Sequence, residues 1–185
     1  DVDLIGPGGA LWGEDTPFFT HANQIQSTST SSQSFFPLFS ALIDVENYID
    51  YFVLQTYIQN TDWMGIAWGL NNVKIFRASE EHKWEYLLYD TDAGLGFFGA
   101  NVYQNYIQNA RYPNSPNVHS NLFDQVLDNW EFRHRFINRY ADLVNTIFQP
   151  WAFNTQTTIA VNQIEAAMPH HIERWNSPGS YAAWL

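Results

Sequence analysis

Apolar residues recur at helical spacing along residues 44–60, the most strongly patterned segment of the chain. One stripe occupies positions 45, 48, 49, 52 and 53, and a second occupies positions 51, 54, 57 and 58. A helix that is apolar on most sides is surrounded by other elements, so the pattern predicts a central helix. Asp44 precedes the first turn as a candidate N-cap, and Glu46 complements the helix dipole there.

Two short segments with strand character follow this helix. Residues 73–77 (VKIFR) and 83–90 (KWEYLLYD) are separated by five polar residues, a length that suits an antiparallel connection. Glycines at positions 94, 96 and 99 come soon afterwards, so we expect the chain to turn tightly there. The pattern predicts a small antiparallel β-hairpin whose second strand ends at an acidic turn.

The C-terminal half has the helical period. Apolar spacing predicts helices over residues 119–129 and 131–148, and Asn154 or Thr155 is a candidate cap for a third helix that reaches about His171. Residues 100–118 are rich in Asn, Gln, Tyr and Pro and are predicted to form a long loop. The elements together predict a mixed α+β fold, mainly helical, around the small hairpin.

The ends of the chain lack such patterns. Residues 1–26 show neither period over a useful length, and residues 27–34 (STSTSSQS) are of low complexity. We therefore predict three parts: an irregular N-terminal arm with a Ser/Thr-rich loop over 1–39, a folded region over 40–176 and a tail over 177–185. The opening of the sequence indicates a mature or excised piece of a longer protein.

Composition narrows the classes of function. The 185 residues carry 8 Lys+Arg against 19 Asp+Glu, a net charge of −11. This balance argues against binding to nucleic acid or to anionic lipid, because both kinds of binding need a basic protein surface. Cysteine is absent, which excludes thiol nucleophiles, disulfides and cysteine-based zinc sites. The apolar stretches are short and interrupted, so we expect no membrane insertion.

The sharpest chemical feature is the Asp-Thr-Asp segment at 90–92. On an extended segment, side chains at positions i and i+2 point to the same side, so Asp90 and Asp92 can share a hard cation. Asp-x-Asp also occurs by chance, and the alternative is an Asx-turn in which Asp92 bonds its own backbone before the glycines.

A second acidic candidate follows the central helix. Asp62 lies beside Trp63, where a carboxylate can act as a base; the alternative is a cap of the loop at the helix end. Asn71 and Asn72 precede the first strand of the hairpin, and amide oxygens are ligands for magnesium or calcium. These residues converge with Asp90 and Asp92 only if the central helix packs against the hairpin.

Two other classes of function are compatible with these residues. A non-catalytic surface, adhesion or glycan-binding module is suggested by 8 Trp, 10 Tyr and 28 amide side chains, which suit sugar faces. It requires exposed indoles, whereas we expect most of Trp63, Trp68, Trp151 and Trp175 to be core residues. A glycoside hydrolase that pairs Asp62 with Asp90 or Asp92 is the other alternative.

Five segments, in order, resemble the spore-coat-H (CotH) kinase family. They cover roughly residues 40–176: IDVENYIDYFVLQTYIQNTDW, NNVKIFR, KWEYLLYDTDAGLGF, SNLFDQVLDNWEFRHRFINRYADLVN and PHHIERW. The resemblance implies an atypical protein-kinase-like C-lobe and ATP-dependent transfer of a phosphoryl group to secreted or surface proteins, with Mg²⁺ or Mn²⁺ on the phosphates.

Carried over position by position, the resemblance implies a role for each candidate. Asp62 of NTDW is the catalytic aspartate that orients the acceptor hydroxyl. Asp90 and Asp92 of YDTD hold the metal ions, and Asn71 or Asn72 completes the metal shell. The resemblance assigns no residue of this chain to the nucleotide.

The resemblance also implies something that this sequence lacks. Family members anchor the nucleotide through a lysine that precedes the central helix, whereas the two lysines here are Lys74 and Lys83, both in the hairpin. We therefore expect a C-lobe whose N-lobe is cut off or carried elsewhere, and weak or no activity in isolation. Expected partners are a protein substrate or a coat protein, and the expected location is secreted, at the cell surface or in a spore coat.

Overall fold

The computed structural model describes residues 2–97, 99, 101 and 103–184. Two compact units are formed by residues 1–139 and 140–185. The strands are β1 (Asp3–Gly6), β2 (Gly9–Trp12), β3 (Lys74–Arg77) and β4 (Glu85–Leu87). The helices are α1 (Thr16–Gln26), α2 (Phe35–Leu42), α3 (Val45–Tyr57), α4 (Tyr106–Arg111), α5 (Val118–Asp128), α6 (Trp130–Asn145), α7 (Pro150–Ile164), α8 (Met168–Trp175) and α9 (Tyr181–Trp184).

The four strands form one antiparallel sheet in the order β2-β1-β3-β4. The predicted hairpin is confirmed as β3 and β4, in which Ile75 pairs with Tyr86. β1 extends the sheet by pairing Leu4 with Phe76 of β3, and β2 pairs with β1 in turn. The sheet is therefore larger than the hairpin that the sequence predicts, because the N-terminal residues complete it.

The central helix is confirmed as α3. The Asp44 carboxylate accepts a hydrogen bond of 2.9 Å from the Asn47 amide N–H, as an N-cap does, and Glu46 lies in the first turn. The Asn47 side chain joins α3 to β4, since its Nδ2 donates to the Tyr86 carbonyl (3.1 Å) and its Oδ1 accepts from the Tyr86 N–H (2.7 Å). The helix thus packs against the hairpin, the condition on which the predicted site depends.

An aromatic core surrounds α3. The Phe52 ring stacks on Phe123 of α5, with centroids 4.1 Å apart, and Tyr48 meets Tyr86 edge-on at 5.1 Å. Other fully buried rings belong to Phe18, Phe35, Phe39, Trp63, Trp84 and Phe132. Such rings bury large apolar areas and fix the geometry of the elements that carry them. The segments that follow α3 and β4 therefore extend from a rigid core.

Two side-chain amides, from a half-buried residue of α5 and a buried residue at its C-terminal end, hold the end of α1 and the segment after it. Nε2 of Gln125 lies 3.3 Å from the Ile25 carbonyl and 3.1 Å from the Thr28 carbonyl. Nδ2 of Asn129 donates to the Thr30 carbonyl at 2.9 Å. The Ser/Thr-rich loop is therefore joined to helices about a hundred positions later in the chain.

The irregular arm predicted over residues 1–39 is wrong in its secondary structure. Most of it belongs to β1, β2, α1 and α2, with turns over the Ser/Thr-rich segment. The two strands are only four residues each. β2 pairs with β1, and β1 pairs with β3 far later in the chain, which no local pattern reveals. Asp3 of β1 also forms a buried ion pair with Arg77 of β3 (2.7 Å).

The C-terminal helices differ from prediction in the third predicted helix. α5 and α6 match the helices predicted over 119–129 and 131–148, but the expected third helix is divided. It begins at Pro150, with Gln149 rather than Asn154 or Thr155 at the N-cap, and a short 3₁₀ turn over Glu165–Ala167 separates α7 from α8. Proline is favoured in the first turn, where its missing N–H has no partner to lose.

The described residues also refine the predicted loop and tail. α4 lies within the segment 100–118, of which residues 100 and 102 fall outside the described set. α9 lies within the tail 177–185, whose last residue is likewise outside it. The α+β class and its helical character are confirmed. Within the described ranges, no helix combines the length and apolar character that crossing a bilayer requires.

Candidate functional site

Asp62 is held by the side-chain amides of two consecutive asparagines. Nδ2 of Asn71 lies 3.0 and 3.1 Å from the two carboxylate oxygens of Asp62. Nδ2 of Asn72 donates to Oδ2 of Asp62 at 3.1 Å and to the Asp62 carbonyl at 2.9 Å. Asn72 is buried and has a positive φ of 51°, a conformation that Asn tolerates better than most residues. Together these bonds fix the direction in which the Asp62 carboxylate points.

The segment between Asp62 and the asparagines is folded back on itself. The Met64 N–H donates to the Asn71 carbonyl at 3.1 Å. Gly65 has a φ of +83°, and a Cβ there would lie 2.4 Å from the Ser115 carbonyl oxygen, so only glycine fits. Nδ2 of Asn117 donates to the Met64 carbonyl at 2.9 Å, which ties the loop to the start of α5. The segment between Asp62 and Asn71 is therefore fixed against residues 115–117 by hydrogen bonds to Met64 and Gly65.

Asp90 and Asp92 lie in a turn after β4 with exposed side chains. Asp90 has a φ of +49°, and the turn is closed by a 3.1 Å hydrogen bond from the Gly94 N–H to the Thr91 carbonyl. The turn is thus held by its backbone, unlike the Asx-turn through Asp92 considered as the alternative. Its carboxylates remain accessible to a ligand.

The electrostatics of this turn reflect crowded negative charge. Desolvation and repulsion by Asp92 raise the pKa of Asp90, and the Asp62 carboxylate contributes in the same direction. Lys74 opposes this rise in the pKa. The Nζ of Lys74 lies 3.2 Å from the centre of the Tyr89 ring, a cation–π contact. A cation between the two carboxylates would relieve their repulsion.

Direct hydrogen bonds bring the two acidic segments side by side. The backbone N–H and the Oγ1 of Thr61 both donate to the Ala93 carbonyl at 3.2 Å. The Leu95 N–H donates to the Ile58 carbonyl at 2.6 Å. Residues 58–62 therefore run alongside residues 90–95, and the predicted convergence of Asp62, the asparagines and the Asp90–Asp92 turn is observed.

Asn71 and Asn72 precede the first strand of the hairpin, as the sequence predicts, but the amide nitrogens of their side chains bond to Asp62. Both Nδ2 groups point at Asp62, so the described contacts make Asn71 and Asn72 a clamp on that carboxylate. A role for Asn71 and Asn72 as metal ligands remains a prediction.

The donor set fits magnesium better than a metal held by protein alone. Among the described residues, no group of three or more His, Asp or Glu side chains could hold a metal ion. Mg²⁺ is usually bound in nucleotide sites through one or two carboxylates, the remaining ligands being water and phosphate oxygens. Asp90 and Asp92 supply that number of carboxylates, and their mutual repulsion is the chemistry that a divalent cation relieves.

The tryptophan expectation is wrong for three of the four residues named. Trp63 is 1% exposed and donates from Nε1 to the Tyr51 hydroxyl at 2.7 Å, which anchors the residue after Asp62. Trp68, Trp151 and Trp175 are 51%, 67% and 61% exposed. Exposure permits contact with a ligand but does not specify one, so it does not establish a glycan-binding surface.

Two supporting residues escaped the sequence analysis. Asn117 caps α5, accepting from the His119 and Ser120 N–H groups while it holds the Met64 carbonyl. The Asn-Val-His-Ser spacing of a capping box could have revealed it. Asn60 bonds to both acidic segments, and its place in the NTDW motif was the available signal.

Comparisons with known proteins give evidence on the family of this chain. Neither the curated proteins nor the solved structures contain a match to this chain. A family model described as "CotH kinase protein" matches residues 14–185, which is nearly the whole sequence and includes every residue of the candidate site. The protein therefore belongs to the CotH kinase family.

Proposed function

We propose that this protein transfers the γ-phosphate of ATP to a serine or threonine hydroxyl of a protein substrate, in a reaction that depends on Mg²⁺ or Mn²⁺. The proposal includes an atypical kinase-like C-lobe over residues 40–176. The observation that carries it is the meeting of a clamped carboxylate, Asp62, with the exposed pair Asp90 and Asp92 at adjoining segments. Membership of the CotH kinase family supports the same chemistry.

Asp62 is the group proposed to act on the acceptor. Its carboxylate, fixed by Asn71 and Asn72, orients the hydroxyl and accepts its proton. A bond forms between the hydroxyl oxygen and the γ-phosphorus, and the bond from that phosphorus to the bridging oxygen of ADP breaks. Positioning and charge neutralisation contribute most of the rate enhancement in such reactions.

Asp90 and Asp92 are proposed to hold the divalent cation. When bound, the cation neutralises the charge of the nucleotide phosphates. The turn supplies two accessible carboxylates on a backbone that the Gly94–Thr91 hydrogen bond closes. Asn71 and Asn72 remain candidate contributors to the metal shell through their carbonyl oxygens, although their amide nitrogens face Asp62.

The lysines support a proposal about the nucleotide. Lys74 and Lys83 are the two lysines of the sequence; Lys74 belongs to β3, where it contacts the Tyr89 ring, and Lys83 precedes β4. Neither precedes α3, where the family resemblance implies the anchoring lysine. We therefore assign nucleotide anchoring to a lobe outside this sequence and expect weak or no transfer by the chain alone.

We also propose a coat or surface location, which membership of the same family supports. The substrates we propose are secreted, cell-surface or spore-coat proteins. The supporting observations are the family assignment and an acidic chain with few lysines, which is common outside the cell.

A thermal unfolding series tests the metal site first. Wild type, Asp90→Asn and Glu81→Gln are each unfolded with Mg²⁺, Mn²⁺ or Ca²⁺, with and without ATP. A ligand at a hundred times its Kd stabilises the native state by about 2.7 kcal/mol, which is easily measured. We expect Mn²⁺ to stabilise wild type and Glu81→Gln, which removes an exposed hairpin charge, but not Asp90→Asn.

ATP distinguishes the finer parts of the proposal. A metal effect enlarged by ATP indicates a nucleotide site complete in this chain, and labelled ATP with a Ser/Thr peptide library then measures transfer. A metal effect indifferent to ATP supports nucleotide anchoring by another lobe. If no divalent cation stabilises the wild type at millimolar concentration, the proposed metal-dependent reaction is refuted.

A further inference from the structure

Asn60 is a buried amide that bonds to both acidic segments at once. Its side chain is fully inaccessible, with an exposed fraction of 0%. Oδ1 accepts a 3.1 Å hydrogen bond from the Asp62 N–H, and Nδ2 donates to the Asp90 carbonyl at 3.3 Å. Asp62 and Asp90 are far apart in sequence, so this one side chain joins two loops that the chain itself does not connect closely.

The same amide is anchored to the central helix. Nδ2 of Asn60 also donates to Oε1 of Gln55 in the last turns of α3, at 3.0 Å, and Gln55 is itself completely buried. One turn earlier in α3, the Tyr51 hydroxyl accepts a 2.7 Å hydrogen bond from Nε1 of Trp63. Two separate hydrogen bonds thus join α3 to the residues before and after Asp62: one from Asn60 to Gln55 and one from Trp63 to Tyr51.

Burial makes this arrangement specific. A buried polar group costs free energy unless it is paired, so the three hydrogen bonds of the Asn60 side chain favour one geometry over its alternatives. Asn60 satisfies an N–H and a carbonyl of two different loops, which no apolar side chain and no carboxylate can do together. The left-handed backbone of Asp90, with φ of +49°, is held at its carbonyl by this contact.

We propose that Asn60 is a positioning residue that sets the placement of Asp62 relative to the Asp90–Asp92 turn, and thereby the divalent-cation affinity of the turn. It touches neither the phosphate nor the acceptor and acts through the two backbones that it holds. The link to the cation rests on the proposed function, whereas the joining of the two loops does not.

The informative substitution is Asn60→Asp, and the chain offers a matched control. Asp keeps the oxygen that accepts from the Asp62 N–H but cannot donate to the Asp90 carbonyl. Asn129 is also buried, accepts from the Phe132 N–H at 3.1 Å and donates to the Thr30 carbonyl. Asn129→Asp therefore makes the same chemical change at a junction that contacts neither acidic loop.

The first measurement is Mn²⁺ affinity by titration calorimetry, with Mn²⁺ alone as the probe. Loss of residues that orient metal ligands typically reduces affinity by about 10- to 100-fold. We expect that loss in Asn60→Asp and a change of less than about twofold in Asn129→Asp, although both variants melt at a lower temperature. Equal affinities in the two variants would overturn the proposed control of the cation site.

The second measurement needs no metal. Amide hydrogen exchange of Asp62 and Thr61 reports whether the two loops separate, because these N–H groups bond to Asn60 and to the Ala93 carbonyl. We expect at least about tenfold faster exchange at both amides in Asn60→Asp relative to Asn129→Asp. Unchanged local exchange would refute the positioning role, and Asn60→Ser replaces the Asp variant if that variant does not fold.

The two measurements separate the two proposals. If wild type binds no Mn²⁺, the metal-dependent reaction and the control of cation affinity both fail, while the exchange data still decide whether Asn60 joins the loops. If wild type binds Mn²⁺ but a complete enzyme with its nucleotide lobe transfers no phosphate, the proposed function fails alone.

Discussion

The two acidic segments of the site are held in opposite ways. Asp62 is half-buried, and its carboxylate is fixed by the amides of Asn71 and Asn72. Asp90 and Asp92 are exposed, and it is their backbone that is fixed, by a turn hydrogen bond and by Asn60. One segment therefore presents an oriented side chain, whereas the other presents a charged pair on a rigid base.

This difference separates two kinds of chemistry. A carboxylate that receives a hydroxyl proton needs a defined direction, which the asparagine clamp supplies to Asp62. A pair that receives a cation needs accessible oxygens, and the repulsion that raises the pKa of Asp90 is relieved when the cation binds. The amide clamp and the open turn are thus complementary halves of one proposed site.

Replacing the clamped carboxylate should have the largest effect. In a protein that also carries the proposed nucleotide lobe, Asp62→Asn should reduce kcat by about 10²- to 10⁴-fold, because the hydroxyl proton loses its proposed acceptor. Mn²⁺ affinity should change by less than about threefold, since the cation is assigned to Asp90 and Asp92. Steady-state kinetics with calorimetry check both values; a loss of Mn²⁺ affinity equal to that of Asp90→Asn would erase the distinction between the two segments.

Variants of the candidate site should be compared with wild type at a pH at which the fold itself is stable. His119 is buried against the Tyr86 hydroxyl, 2.9 Å away, and burial lowers its pKa from 6.5 to about 3. Its neutral form contributes stability that is complete above pH 6.5 and declines as the pH falls below that value, because the unfolded chain then binds a proton that the folded chain excludes.

A non-titrating residue should remove this part of the pH dependence. Between pH 6.5 and 4.5, wild type should lose about 2–3 kcal/mol of unfolding free energy more than His119→Gln, whose amide can still bond Tyr86. Urea unfolding across this pH range measures the difference. Parallel pH profiles for the two proteins would show that His119 titrates normally and that the acid sensitivity has another source.

The two asparagines of the clamp should contribute unequally. Asn72 is buried, left-handed and bonded to two oxygens of Asp62, so Asn72→Ala should lower the unfolding free energy by about 1–3 kcal/mol. Asn71 is exposed, and Asn71→Ala should cost at most about 0.5 kcal/mol. Denaturant unfolding compares them, and Asn72→Gly separates the lost hydrogen bonds from backbone strain. An equal cost at both positions would contradict the buried clamp.

Removing the positive charge of Lys74 beside the Asp90–Asp92 turn should have the smallest effect on the site. Lys74→Met eliminates a positive charge that lowers the pKa of Asp90, so the pKa of that carboxyl should rise further. Mn²⁺ affinity should increase by about two- to fivefold at low salt and less at high salt, because the competing charge is gone. Calorimetry at two ionic strengths checks this, with Lys83→Met as the control; weaker binding in Lys74→Met alone would indicate that this lysine supports the site.

The sequence predicts the elements whose stability is local. The two apolar stripes and the Asp44 cap identify α3, and the alternation around residues 73–90 identifies the β3–β4 hairpin. β1 and β2 escape prediction because each is four residues long, and because β1, on which β2 pairs, is itself paired with the distant β3 through Leu4 and Phe76. Pairing over such a separation leaves no periodic signal in a short window.

The same division applies to the site. Asp62, Asp90 and Asp92 stand out by residue type and by their places after a helix and a strand. The direction of the asparagine amides could not be predicted, since it depends on which partner tertiary packing brings near. Asn60 was missed for the same reason: one of its partners is a backbone carbonyl thirty positions later.

The contacts of Gln125 and Asn129 have a consequence for synthesis on the ribosome. The carbonyls of Ile25, Thr28 and Thr30 obtain these amide partners only after about a hundred further residues have been made. At 5–20 residues per second, this interval lasts roughly 5–20 s. During this interval the first segment of the nascent chain lacks these side-chain hydrogen bonds, which form only when residues 125 and 129 have emerged from the ribosome.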